Sequence, residues 1–157
     1  MSNQFEFVSA TDKPALLAFS TPEWMEAARS AMLELGYKVH TAATHSDFLV
    51  RFSQIQYQLV LVEECFGGSN ISENLTLQVL QAMPMSERRH ATIILLGDSF
   101  QTFTPLQAFQ QSVHAVINSS ELFLLKQLIE KAVADNTIFL RTYREAMPKV
   151  VEEAARE

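Results

Sequence analysis

The sequence predicts a three-layer α/β domain in which a five-stranded parallel sheet is flanked by five helices. Three observations predict it. Short apolar runs alternate five times with segments of helical period. The runs Leu59–Val62 and Thr92–Leu96 are continuous rather than alternating, as strands are when both sheet faces are covered. The chain has 157 residues, 48% hydrophobic and 19% charged, enough for one domain with a sizeable core but not for two.

Each element has its own signal. Residues 1–13 read as a lead-in, without the basic start or apolar block of a signal segment. Ala15–Phe19 is the first strand, ending at Ser20-Thr21-Pro22. Thr21 offers a capping hydroxyl, Pro22 suits the first helical position and Glu23 puts an acid in the first turn. Trp24, Ala28, Ala31, Met32 and Leu35 recur at helical spacing, and Gly36 ends that helix as a left-handed cap. Val39–Ala43 is the second strand. Thr44 or Ser46 caps a helix carrying Phe48, Leu49, Phe52 and Ile55. After the third strand, Gly67-Gly68-Ser69-Asn70 is a loop and a helix follows from about Ser72 to Met83. Pro84–His90 is a polar connection. The fourth strand stops at Gly97-Asp98, and Pro105–Gln111 is a short helix whose Gln107, Gln110 and Gln111 give it a polar, uncharged surface. Val113–Ile117 is the fifth strand, and a long helix starts near Ser120, with Ser119 or Ser120 as its cap.

Composition excludes several function classes. A net charge of −6 argues against a binder of the nucleic-acid backbone, which needs a basic face. Arg88-Arg89-His90, the one compact basic cluster, is too small for such a footprint and reads as a solvated loop. A single cysteine allows no internal disulfide and no thiol metal cluster, which points to a reducing cytoplasm. No apolar run approaches the ~20 residues of a membrane span.

In a parallel sheet, chemistry gathers beyond the C-terminal strand ends. That edge carries Phe19, Ser20, Thr21, Glu63, Glu64, Cys65, Gly97, Asp98, Asn118 and Ser119. The spacing of "FSTPEWMEAARSAMLELGYKVHTAATHSDFLVRFSQIQYQLVLVEE", and of "GYKVHTAA" and "YQLVLVE" within it, resembles the receiver domain of two-component response regulators. The resemblance covers roughly residues 14–135. It implies the flavodoxin-like strand order 2-1-3-4-5. It also implies a phosphoryl-accepting aspartate after the third strand, an acid pair after the first that holds Mg²⁺, a hydroxyl after the fourth and a lysine after the fifth.

This chain departs from the family at each of those places. The acid pair falls on Phe19 and Ser20, and the acceptor on Glu63. The hydroxyl falls on Leu96 or Gly97, and the lysine on Asn118 or Ser119. A divalent ion without clustered oxygens and a phosphoryl group without a cation both lack partners. The resemblance therefore implies a degenerate, pseudo-receiver form that needs no cofactor and no metal. Two roles stay open for Glu63: a fixed negative charge standing in for the phosphorylated state, or a solvated carboxylate at a strand end.

Three other readings of this edge can be weighed. Cys65 beside Gly67-Gly68 could be a nucleophile, but Glu63 and Glu64 would raise its pKa, so a partly buried structural thiol is the expectation. His45 could approach the edge from the loop after the second strand. Glu63, Glu64 and Asp98 could share a hydrated cation, although unshared surface acids are the commoner outcome.

The segment "SSELFLLKQLIEKAVADNTIFLRTYREAMP" is longer than a receiver needs. A helix of about 27 residues would run roughly 40 Å at 1.5 Å per residue. A heptad reading puts Leu122, Ile129, Asn136 and Tyr143 in one seam position and Leu125, Ala132, Phe139 and Ala146 in the other. Asn136 is then a polar register device, and the helix pairs with its twin in a homodimer, takes another protein partner, or folds back on its own core. Residues 136–157 are read as an extension of the last helix, with "KVVEEAARE" continuing past Pro148. The functional expectation is a non-phosphorylatable, cytoplasmic protein–protein interaction and dimerisation module in signalling. The alternative is a small enzyme or ligand-binding domain using the edge around Glu63 and Cys65.

Overall fold

Five-residue apolar runs without alternation lose both faces from water only when helices cover the sheet on each side. β1 (Pro14–Ala18), β3 (Leu59–Glu63) and β4 (Thr92–Gly97) are buried at every position. β2 (Lys38–Ala42) and β5 (Ala115–Asn118) form the two edges and are only partly covered. The computed structural model describes residues 8–68, 70–88 and 90–156. All its strand pairs are parallel and the order is β2-β1-β3-β4-β5, the expected flavodoxin-like arrangement. The lead-in before residue 8, Ser69 and Arg89 lie outside the described residues.

Side chains that alternate along each strand feed two cores. Leu17, Leu61, Ile94 and Ile117 face the layer of α1 (Pro22–Glu34) and α5 (Leu125–Arg156). Leu16, Val60, Val62 and Leu95 face the layer of α2 (His45–Gln54), α3 (Leu75–Ala82) and α4 (Pro105–Gln110). Among the described residues, no helix is long and apolar enough to cross a membrane.

Several local expectations change. α3 starts at Leu75, capped by Asn74, whose Oδ1 accepts from Leu77 N at 3.1 Å; Ile71–Glu73 forms a separate 3₁₀ turn. The connection after α3 contains one helical turn, Met85–Arg88. The Arg88 guanidinium is no solvated charge, because its Nη1 donates to the carbonyls of Leu80 (2.8 Å) and Ser112 (2.9 Å). Thr44 is the α2 cap, accepting from Asp47 N at 3.0 Å, and Gly36 takes the left-handed conformation at φ 86°. Neither Ser119 nor Ser120 caps the last helix. Asn118 accepts from Ser120 N at 2.8 Å and opens a 3₁₀ stretch, Ser119–Leu124, that leads into α5. α5 then runs 32 residues, through Pro148, roughly 48 Å at 1.5 Å per residue.

Candidate functional site

The strand-end edge is built around Glu63, the last residue of β3. Its carboxylate crosses to the β1–α1 loop and is 4% exposed as a residue. Oε2 accepts from the backbone N–H of Ser20 (2.6 Å) and of Thr21 (3.0 Å), and Oε1 accepts from the Thr21 hydroxyl (2.6 Å). The expected solvated carboxylate is therefore corrected to a buried, triply bonded one. Thr21 is corrected with it, because its hydroxyl serves Glu63 and makes no cap bond to its own helix. The anion sits at the positive N-terminal end of α1, where helix N–H groups favour negative charge. Each hydrogen bond to a charged group contributes about 1.5–3 kcal/mol when it replaces one to water.

Phe19 and Ser20, at the acid-pair positions, do other work. Phe19 is a core residue, 3% exposed. Ser20 stitches two loops, giving its N–H to Glu63 and accepting from Gly67 N at 2.8 Å. At the hydroxyl position, Gly97 pairs with Asn118, while Leu96 pairs with Glu63. The space over Gly97 belongs to Glu64: a Cβ on Gly97 would come within 2.6 Å of the Glu64 Cβ. Glu64 Oε1 in turn accepts from Ser99 N at 3.3 Å. At the lysine position, Asn118 donates through Nδ2 to Phe100 O (2.7 Å) and accepts at Oδ1 from Ser120 N, tying the β4–α4 loop to the start of the last helix.

The same packing answers the other readings. Asp98 accepts from the Ser119 hydroxyl, so Glu63, Glu64 and Asp98 each serve a different loop. Among the described residues, no group of three acids, histidines or cysteines could hold a metal ion. Cys65 is exposed rather than partly buried. Residual desolvation and then the carboxylates of Glu64, Glu63 and Asp98 push its pKa up, away from the nucleophilic thiolate. His45 does reach this edge, but as a strut. Its Nδ1 accepts from Thr76 N at 3.2 Å, and its Nε2 lies 2.5 Å from where a Cβ on Gly67 would be, so Gly67 (φ 75°) must stay a glycine.

The heptad seam is also corrected in its first half. Leu125 and Ile129 are 1% and 0% exposed, packed with Leu122 and Ala132 on the protein's own sheet. Asn136 is 8% exposed and its Nδ2 donates to Thr92 Oγ1 on β4 at 2.9 Å, so it is an intramolecular anchor. Phe139 and Tyr143 remain 63% and 40% exposed. α4 is more than a polar surface, because Leu106 and Phe109 stand 64% and 81% exposed beside its glutamines. Between α4, β5 and α5 lies an open groove of about 1070 Å³, walled by Phe103, Ala108, Phe109, His114, Phe139 and Leu140.

Two residues escaped the sequence reading. Asn74, fully buried, donates through Nδ2 to the carbonyls of Glu63 (3.0 Å) and Glu64 (3.2 Å), which fixes the chain just where the acids emerge. An asparagine directly before Leu-Thr-Leu-Gln-Val-Leu was a helix-cap signal that could have found it. His114, on the groove wall, accepts at Nδ1 from Ile93 N at 2.9 Å; burial and then the Arg88 charge lower its pKa from 6.5 to about 4.

No family model matches the chain, and no curated protein sequence matches it. Solved structures do. A chain described as a response regulator from Chloroflexus aurantiacus superposes with TM-score 0.63 at 13% identity, over 79% of this chain and 99% of that one. The signal receiver domain of a protein described as a LuxO repressor, from Vibrio parahaemolyticus, gives 0.63 at 9% identity, over 83% and 97%. The chemotaxis response regulator CheY4 of Vibrio cholerae gives 0.58 at 12%, over 78% and 99%. At these identities the likeness is one of fold, and the fold is that of a receiver domain.

Proposed function

We propose, with the receiver fold as premise, that this chain is a pseudo-receiver that has given up phosphoryl transfer and acts by binding proteins in a signalling pathway. The observation that carries the reading is the state of Glu63. The side chain at the acceptor position already spends both carboxylate oxygens on Ser20 and Thr21, and is buried by them. The Ser20 and Thr21 donors hold that carboxylate turned into the β1–α1 loop, and the places where the resemblance expects an acid pair, a hydroxyl and a lysine hold none of them. Phe19 is core, Gly97 has no hydroxyl, and Asn118 carries no charge.

The alternative of a ligand-binding edge is disfavoured by the same contacts. The gaps that Gly67 and Gly97 would leave are filled by His45 and Glu64. Residues 14–135 then serve as the receiver-like domain and residues 136–157 as an extension used for association, with homodimerisation through α5 as the expected state. The exposed apolar side chains of α4 and of the α5 arm supply the contact surface. On this reading the protein is cytoplasmic and non-enzymatic.

The test is intact mass after incubation with acetyl phosphate and Mg²⁺. The expected result is an unchanged mass. A phosphoryl adduct mapped to Glu63 would overturn the reading.

A further inference from the structure

A second cavity, of about 390 Å³, opens at the end of the sheet opposite Glu63, where Tyr37 precedes β2, Gln58 precedes β3 and Thr92 begins β4. Its size falls at the lower end of the range for small-ligand sites. Tyr37, Thr92 and Asn136 are 8%, 3% and 8% exposed and close its inner side, which the 2.9 Å bond from Asn136 Nδ2 to Thr92 Oγ1 holds in place. Gln56 and Gln58, in the α2–β3 connection, form one wall. The other wall is a single face of α5, because positions 133, 136, 137, 140 and 144 align at 3.6 residues per turn.

We propose that this cavity binds a small hydroxylated anion, whose carboxylate or phosphate pairs with Arg144 and whose hydroxyls meet the amides of Gln56 and Gln58 and the hydroxyl of Thr137. The site is independent of the reading of Glu63 and stands whether or not that residue accepts a phosphoryl group.

Charge selects the anion. The chain carries 18 aspartates and glutamates against 12 lysines and arginines, yet none of the described residues lining this cavity is an acid, and Arg144 and His90 are among them. Among the described residues Arg144 makes no ion pair. The positions one turn away on its helix, Leu140, Arg141, Met147 and Pro148, supply no carboxylate. A guanidinium in this setting can take a carboxylate or a phosphate through two parallel N–H bonds.

The uncharged lining selects the rest of the ligand. Side-chain amides and a hydroxyl both donate and accept, as the hydroxyls of a polyol or hydroxy acid require. A wholly apolar ligand would bury those groups unpaired. Val133 and Leu140 add an apolar strip against which a short carbon skeleton can lie.

The test is titration of the full chain with citrate and with glycerol 3-phosphate, read by backbone amide chemical shifts and calorimetry, with glycerol as the uncharged control. The expected result is saturable binding of at least one anion, with shifts concentrated at Gln56, Gln58 and Thr137, and no binding of glycerol. The tighter of the two anions tells carboxylate from phosphate. Arg144→Gln should weaken that binding roughly ten- to hundredfold, as loss of a charge-assisted pair does. Arg141→Gln removes the same charge from the same helix outside the cavity, and should leave the affinity within about twofold. Equal losses in the two variants would show a general attraction to the helix and overturn the proposal. Failure of both anions to saturate, or shifts that map elsewhere, would overturn it too.

Discussion

Thr21 turns its hydroxyl away from the helix it begins and donates it to Glu63 Oε1 at 2.6 Å, while its backbone N–H donates to Oε2 of the same carboxylate at 3.0 Å. The end of β3 and the start of α1 are thereby locked through one side chain. Only a residue as long as glutamate spans that gap; an aspartate would end a methylene short.

Glu63 is therefore expected to be structural. Glu63→Ala leaves Ser20 N, Thr21 N and the Thr21 hydroxyl without their acceptor and should lower stability by about 2–4 kcal/mol. Glu63→Gln, which keeps one oxygen but loses the charge, should cost about half as much. Urea midpoints at neutral pH measure both, and a loss below about 0.5 kcal/mol for the alanine variant would remove the lock from the account. Glu63→Asp, although it restores the family's acceptor type, should gain no mass from acetyl phosphate, because its supporting groups are still missing.

Gly97 is a glycine for a steric reason. Gly97→Ala or Gly97→Thr drives a Cβ into that of Glu64 and should destabilise by about 1–3 kcal/mol, as overpacking does. Pairing Gly97→Ala with Glu64→Gly, which removes both the Glu64 Cβ and its carboxylate from that space, should cost clearly less than the sum of the two single changes. A double mutant as unstable as the sum of its parts would show that the two residues do not compete for this space.

His114 makes stability depend on mildly acidic pH. Its folded pKa of about 4 lies below the ordinary 6.5, so between those values the unfolded chain binds more protons than the folded one. Stability is fully present above pH 6.5 and falls as pH drops through the window, by roughly 2 kcal/mol at pH 5. Denaturation midpoints from pH 7.5 to 5 should show this slope. His114→Asn, whose side-chain oxygen can still accept from Ile93 N, should flatten it.

Asn136 and Met147 should separate folding from association. Asn136→Ala removes a buried bond to Thr92 and should cost about 1–2 kcal/mol without changing the oligomeric state. Met147→Asp, on the exposed arm, should abolish the dimer and leave the domain's melting temperature within about 2 °C of the parent. Light scattering and thermal melts of the two variants distinguish these patterns, and a dimer lost with Asn136→Ala would return that residue to a seam role.

The strand and helix order was legible in one dimension because it depends on period and composition. Unbroken runs such as Leu59–Val62 have no solvent face to mark, and Gly36 ends α1 by a backbone preference that needs no neighbour. The departures from the resemblance were legible for the same reason: that Phe19 and Ser20 are not acids needs no coordinates to be read. What each substituted residue does instead was decided only by the tertiary structure. A carboxylate's role depends on which donors lie within 3 Å, and those of Glu63 are 42 and 43 residues away in sequence. The heptad pattern of α5 carried the same ambiguity. A stripe of Leu125, Ile129 and Asn136 suits a partner helix or the protein's own sheet equally well, since apolar spacing names a buried face but not its mate. Folding assigned the first turns, through Asn136, to the sheet, and left Met147, Val150 and Val151 exposed further along the helix.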